Sequence, residues 1–287
     1  MDVSKLKDNL WELYYYRSSF WVKDVQYFRN PHSNILWKFS PIFTECETYG
    51  KDHAYEAYIT EACGICIGTQ AKGPNPGLQG IAKIRMQTPN NPQNPSATKP
   101  QRVSSRLGFE YYNLFTLTER GSTCTPRLLD YVLLTQNKQD PVPGGFFFFL
   151  VMERLPGRNL VNFADLPMSE RDQVRLAFAK TIREFNALKF VHNDTDRRNL
   201  MWDSENKKCY IIDLEDAYIL DDKAKTPKFI PERTYRHWGI AGTQINCHGY
   251  GLDPMVPCDG GFIEDPDDET LEKMAAEAVG KDFVFGK

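Results

Sequence analysis

The stretch "FVHNDTDRRNLMW", residues 190–202, sets His192, Asp194, Asp196, Arg197, Arg198 and Asn199 within a few positions of one another. A second acidic group, Asp213, Glu215 and Asp216, follows in "CYIIDLEDAY", residues 209–218. A short hairpin between the two would gather Asp194, Asn199 and Asp213 at one edge. Two carboxylates and a carboxamide form an oxygen-rich set that suits Mg²⁺, a hard cation that shares its shell with substrate phosphates. In this arrangement Asn199 and Asp213 hold the metal. Asp194 orients an attacking hydroxyl and accepts its proton, a role worth about 10²–10⁴-fold in rate. His192 braces the loop by hydrogen bonding. Arg197 and Arg198 read either as a phosphate clamp or as partners of neighbouring acids. Taken singly, each acid is an ordinary turn or cap residue. The joint occurrence of His192, Asp194, Asn199, Asp213 and Glu215 carries the reading.

"HNDTDRRN" followed by "IIDLED" resembles the H-x-D-x-x-x-x-N plus I-D-x-E pattern of protein-kinase-like phosphotransferases. It is most similar to the aminoglycoside phosphotransferase and choline kinase branch, in which the second aspartate is followed by x-E. The resemblance implies an α+β, two-lobed protein-kinase-like fold, with a β-rich N-lobe, a mainly helical C-lobe and ATP bound between them. It also implies a strand lysine on the nucleotide's phosphates, and "GIAKIRM" offers Lys83, with Arg85 on the same face as the competitor. A helix glutamate should pair with that lysine. Glu110 in "GFEYYNL" fits, and Glu119 lies on the same predicted helix. "FLVMERLPG" fits the hinge, with backbone groups of Met152, Glu153 and Arg154 facing the adenine. The resemblance spans about residues 40–220 and is sharp at 190–217.

Two departures stand against it. No G-x-G-x-x-G covers the phosphates, and Asp196 puts an acid where protein kinases carry a lysine, so it should repel the transferred phosphate. The implied activity is ATP- and Mg²⁺-dependent phosphoryl transfer to the hydroxyl of a small molecule. Asp196, Glu215 and Asp216 suit a cationic, amine-bearing acceptor. The departures favour a second reading, a kinase-shaped binding or scaffold protein. A protein Ser/Thr kinase is the third, weakened by a short segment after Asp213.

The elements that would position these groups follow a clear order. β-branched and aromatic runs predict strands in "SPIFTECETY", "EAYITEACGICIG" and "GIAKIRM". The Pro/Asn-rich residues 89–101 predict a surface loop. Helical spacing with a closing Gly121 predicts a helix in "RVSSRLGFEYYNLFTLTERG". Two more strands are expected in "RLLDYVLLTQ" and "GFFFFLVME". "MSERDQVRLAFAKTIREFNALKF" predicts the longest helix, with Ser169 as N-cap and Val174, Phe178, Ile182 and Phe185 on its apolar stripe. "DSENKK" predicts a hairpin turn. "DPDDETLEKMAAEAV" predicts a C-terminal helix, and the aromatic N-terminus an amphipathic one. The lobes are expected at 1–153 and 154–287, since strands segregated from helices indicate an α+β protein.

Composition bounds the alternatives. The 287 residues are 41% hydrophobic and 13% aromatic, which predicts packed cores, and 287 is ample for two lobes. A net charge of −3 with scattered basic residues argues against nucleic acid as a partner. The longest apolar run, Phe146 to Met152, is too short to span a bilayer, and the N-terminus lacks the pattern of a secretory signal. Seven cysteines at irregular spacing argue for reduced thiols and a cytoplasmic setting. Neither Cys63-x-x-Cys66 nor the Cys247, His248, Cys258 group has the paired spacing of structural zinc.

Overall fold

A computed structural model describes residues 26–52, 57–90 and 97–241. The N-terminal and C-terminal helices expected above, and Cys247, His248 and Cys258, lie outside the described residues. The chain is an α+β protein whose contacts separate into two compact units. One comprises residues up to Tyr111 with Arg127–Arg154, the other Tyr112–Pro126 with Leu155 onward, so the division falls within one helix.

The first unit is built on a seven-stranded sheet. Its strands are β1 (Gln26–Arg29), β2 (Leu36–Phe39), β3 (Thr44–Asp52), β4 (Ala57–Lys72), β5 (Gln79–Gln87), β6 (Leu128–Thr135) and β7 (Phe146–Glu153). The order is β1-β2-β4-β5-β7-β6, with β3 also paired to β4, and all these pairs are antiparallel. The four phenylalanines of β7 follow from its place between β5 and β6. Both of its faces are buried, so its sequence runs apolar without alternation. One sheet face carries the core, including Phe28, Trp37, Ala62, Cys66, Ala82, Ile84, Phe147 and Phe149. Side chains alternate along a strand, so Lys83 and Arg85 point to the opposite face.

β1 and β6 are at opposite ends of the strand order, yet a buried carboxylate joins them. Asp130 on β6 accepts from Asn30 Nδ2 at 2.7 Å, from Trp37 Nε1 at 2.8 Å and from Ser33 Oγ at 3.1 Å. Phe28 stacks on Phe149 at 3.9 Å between ring centroids. The sheet therefore curls until its first hairpin meets its last strand, and Asp130 satisfies the polar groups buried by that closure.

Helix α1 (Ser105–Glu119) follows β5. Ser104 caps it, accepting from Leu107 N at 3.3 Å. It ends where Gly121 adopts a left-handed backbone, φ +70°.

In the second unit α2 (Met168–Ala187) buries Val174, Phe178, Ile182 and Phe185, the stripe its periodicity predicts. Its start differs from expectation. Pro167 is the N-cap, with no side-chain cap bond, and Ser169 lies within the first turn. Proline fixes the entry backbone, and its carbonyl accepts from Glu170 N and Arg171 N, both at 2.9 Å. Strand β8 (Arg158–Asn159) pairs with β10 (Leu200–Asp203), which pairs with β11 (Lys208–Ile211). Gly157 permits the first pairing, because a Cβ there would come within 2.1 Å of the Trp202 carbonyl oxygen. α2 braces the hairpin: Thr181 Oγ1 donates to the Cys209 carbonyl at 2.9 Å. A second small ladder joins β9 (Phe190–His192) to β12 (Ala217–Ile219). The short helix α3 (Pro231–His237) and Trp238 pack against Phe178. No helix among the described residues is long and apolar enough to cross a membrane.

Replacing Asp130 with alanine leaves Trp37 Nε1 and one Asn30 N–H buried and unpaired, while the Asn30 amide keeps the Tyr131 carbonyl at 3.0 Å. We expect a loss of about 3 kcal/mol, read as a lowered midpoint in urea unfolding. A loss below about 1 kcal/mol would show that Asp130 does not secure the closure.

Candidate functional site

The acids of the two motifs, Asp194, Asp196, Asp213, Glu215 and Asp216, sit in one excursion of the chain. β9 and β12 pair in the register Ala217↔His192, Tyr218↔Val191, Ile219↔Phe190, and Asn193 N donates to the Asp216 carbonyl at 2.9 Å. Everything between, residues 193–216, leaves and returns through that narrow base.

On the outgoing limb, Asp196 is the N-cap of a single 3₁₀ turn, Arg197–Asn199. Its carboxylate accepts from Arg198 N at 2.8 Å and from the Arg198 guanidinium at 3.0 Å. The charge expected to repel a phosphate is thus neutralised locally and spent on a cap. Arg198 also reaches both oxygens of Asp194, at 2.8 and 2.6 Å. It is a partner of nearby acids, the second of the two expectations for this residue. Arg197 turns elsewhere, toward the Gly239 carbonyl at 3.5 Å.

Asn199 is buried, and its amide nitrogen donates to the Asp194 carboxylate and to the Asp194 carbonyl, both at 2.9 Å. With its two N–H groups so used, the carboxamide oxygen remains as an acceptor. Ile212 N donates to the Asn199 carbonyl at 2.9 Å, tying the outgoing limb to the residue just before Asp213. Asp194 and Asn199 are therefore in direct contact, and Asn199 lies alongside the segment that carries Asp213.

Asp213 falls two residues beyond the end of β11 and adopts a left-handed backbone, φ 60° and ψ 65°. That conformation is costly for a non-glycine residue and persists only where the surroundings fix it. Two side chains do so. His192 Nε2 contacts the Asp213 carbonyl at 3.0 Å and the Ile212 carbonyl at 3.3 Å, an arrangement in which the ring N–H donates. Asn113, from α1, donates to the Leu214 carbonyl at 2.9 Å and the Ala217 carbonyl at 2.6 Å. Asn113 escaped sequence reasoning, since nothing local in "EYYNLF" links it to residues a hundred positions away.

Burial pushes the His192 imidazole below the ordinary histidine value, against the two carbonyl contacts, which favour its charged form. Its Nδ1 is buried without a partner, and its ring meets Trp238 edge-on at 5.5 Å. The ring is a neutral brace for the backbone at Asp213.

The first unit holds the remaining expected residues. Lys83 and Glu110 form an ion pair within it. Glu110 is buried and Glu119 is exposed at the end of α1, which separates the two candidates. Arg85, two residues along β5, contacts Glu110 at 3.3 Å and Glu61 at 2.7 Å. At the proposed hinge, Met152 is buried in β7, opposite Ile81. The Glu153 carboxylate grips Arg127 through bonds of 3.0 and 3.1 Å, and the Glu153 N–H donates to the Arg127 carbonyl at 2.8 Å. That N–H is engaged within the unit. Arg154 bonds the Gln79 side chain.

Cys63 and Cys66 do not form a chelating pair. They are three apart on β4 and so point to opposite faces. Cys66 lies in the core, its thiol pushed up to about 12 by burial. Cys63 stands opposite Cys46 in register, and the hydrogen bond with Cys46, with burial, pushes its thiol up as well.

No family model matches the chain. It is similar to an uncharacterized protein of Haemophilus influenzae, 29% identical over 163 residues, which are 56% of this chain and 69% of that protein.

The His192 reading fixes a pH dependence. Its folded-state pKa lies below the unfolded value of about 6.5, so its contribution is complete above that pH and is lost as the pH falls through it. Between pH 7.5 and 5 the melting temperature of the parent should fall more than that of His192→Gln, which keeps an N–H donor and does not titrate. Parallel curves would remove His192 as a neutral brace.

Proposed function

We propose that this protein is an ATP- and Mg²⁺-dependent phosphotransferase of protein-kinase-like fold, moving the γ-phosphate to a hydroxyl of a small molecule. The observation that supports it most is Asn199. Its amide nitrogen is locked on Asp194, which leaves the carboxamide oxygen as an acceptor beside the segment of Asp213. A carboxamide oxygen and a carboxylate fit Mg²⁺, which takes hard oxygen ligands and shares them with phosphates. Bound nucleotide would supply the transferable phosphoryl group.

The protein's own residues then divide the work. Asn199 and Asp213 hold the metal, and Lys83, oriented by Glu110, meets the phosphates. Asp194 positions the acceptor hydroxyl and takes its proton. Arg198 uses one lone pair on each Asp194 oxygen and Asn199 a further one on Oδ2. Oδ1 therefore keeps a site for an incoming hydroxyl. Arg198 holds this carboxylate in orientation, while His192 and Asn113 hold the backbone around Asp213. Asp196 is paired with Arg198; together with Glu215 and Asp216 it makes an acidic group that suits a cationic acceptor.

One feature favours a second reading, a kinase-shaped binding protein with no turnover. Arg198 covers both oxygens of the would-be base.

Thermal unfolding with ATP alone and with ATP plus Mg²⁺ tests the site. In large excess, a ligand bound only by the folded state stabilises it by about 3–4 kcal/mol. We expect a Mg²⁺-dependent shift in the parent that is lost in Asp213→Ala. Asp194→Asn should lower transfer at least about 100-fold while leaving that shift in place. No shift in the parent would overturn the reading. A shift without transfer to any of a panel of hydroxyl acceptors would establish the binding protein.

A further inference from the structure

The phosphotransferase reading gives Glu110 one task, to orient Lys83. The first unit holds Glu110 by more than that lysine. Lys83 and Arg85 leave the same face of β5 two residues apart, and each takes a different oxygen of the Glu110 carboxylate, Oε1 for Lys83 and Oε2 for Arg85. Arg85 is held in turn from the neighbouring strand, where Glu61 Oε1 accepts from it at 2.7 Å. The other Glu61 oxygen accepts from Ser104 Oγ at 2.8 Å, and Ser104 is the N-cap of α1. Glu61, Arg85, Ser104 and Glu110 are all buried. They form one chain of contacts from the sheet to the start of α1 and on to its second turn, and Lys83 joins it at Glu110.

We infer that Arg85, held by Glu61, is a positioning residue that anchors α1 and Glu110 to the sheet, so that Lys83 can turn to the nucleotide's phosphates without the helix moving. The assignment of a phosphate partner to Lys83 rests on the reading given above; the anchoring does not. Removing one member of a buried charged pair leaves the other uncompensated, which is far costlier than losing an exposed ion pair. The loss of Arg85 would leave Glu61 without its cation and Glu110 with Lys83 alone. The loss of Lys83 leaves Glu110 still paired with Arg85. The helix is therefore docked by a contact that phosphates do not compete for.

Amide hydrogen exchange read by mass spectrometry on the full chain without nucleotide tests this, over the α1 amides from Gly108 to Tyr111. Arg85→Met should speed their exchange at least about tenfold, and Glu61→Gln should act in the same direction. Arg85→Lys, which keeps a cation and guards against a failure to fold, should recover much of the protection. Lys83→Met should leave the rates within about twofold. Equal acceleration by Lys83→Met and Arg85→Met would overturn the inference, as would unchanged rates in Arg85→Met. Repeating the parent with ATP and Mg²⁺ should leave α1 exchange unchanged while the protein as a whole is stabilised. Absence of any nucleotide stabilisation would overturn the phosphotransferase reading and the destination given to Lys83, and would leave the comparison of the two cations standing.

Discussion

Three residue pairs between β9 and β12 set the base of the excursion in the second unit. Every acid that the sequence marks as reactive lies between them. A ladder that short is weak alone, and its neighbours strengthen it. Asn193 closes it with one more backbone bond, His192 reaches across to the Asp213 carbonyl, and Asn113 fixes Leu214 and Ala217 from α1. The left-handed backbone at Asp213 is tolerable because these contacts over-determine it. Loosening the base of the excursion would release Asp213 before it disturbed the β10–β11 hairpin, which has its own brace in α2.

The two units solve the same problem of buried polarity in different ways. In the first, charge is buried in connected sets. Asp130 collects neutral donors from a distant hairpin, and Glu61 and Glu110 share Arg85. In the second, the candidate carboxylates are half-buried and engaged by near neighbours, Arg198 above all. Deep burial gives the first unit rigidity around Asp130, Glu61 and Arg85. Partial exposure leaves the second unit's acids able to change partners.

The sequence disclosed the parts of the fold that depend on local pattern. Strands β3 to β7, helix α1 and the buried stripe of α2 follow from alternation, helical spacing and turn residues. The hairpin around "DSENKK" was equally plain. What stayed hidden depends on distance or on brevity. Strands β1 and β2 have four residues each, too few for alternation to stand out beside Pro31. Their buried contacts are distant in sequence, as in the bond from Asn30 to Asp130, a hundred positions away. The start of α2 was misplaced because serine's habit as a cap outweighed the proline two residues before it. At the site, the residue types and spacing pointed to the oxygen cluster, but not to the use of Asp196 as a cap or of Asn113 as a clasp. Both are side-chain choices made by the folded chain.

The β10–β11 hairpin divides the excursion into regions of very different tolerance. Its turn is held locally, by Asp203 accepting from Glu205 N, Asn206 N and the Asn206 side chain, and by the left-handed Lys207. Extra residues at that tip would add only the slowly growing entropy of a longer loop. A single residue inserted between Asp213 and Ala217 would shift the parity of the returning strand, turning inward-facing side chains of β12 outward. Drift in length among relatives of this chain should therefore gather at residues 204–207 and be absent from the stretch that follows Asp213.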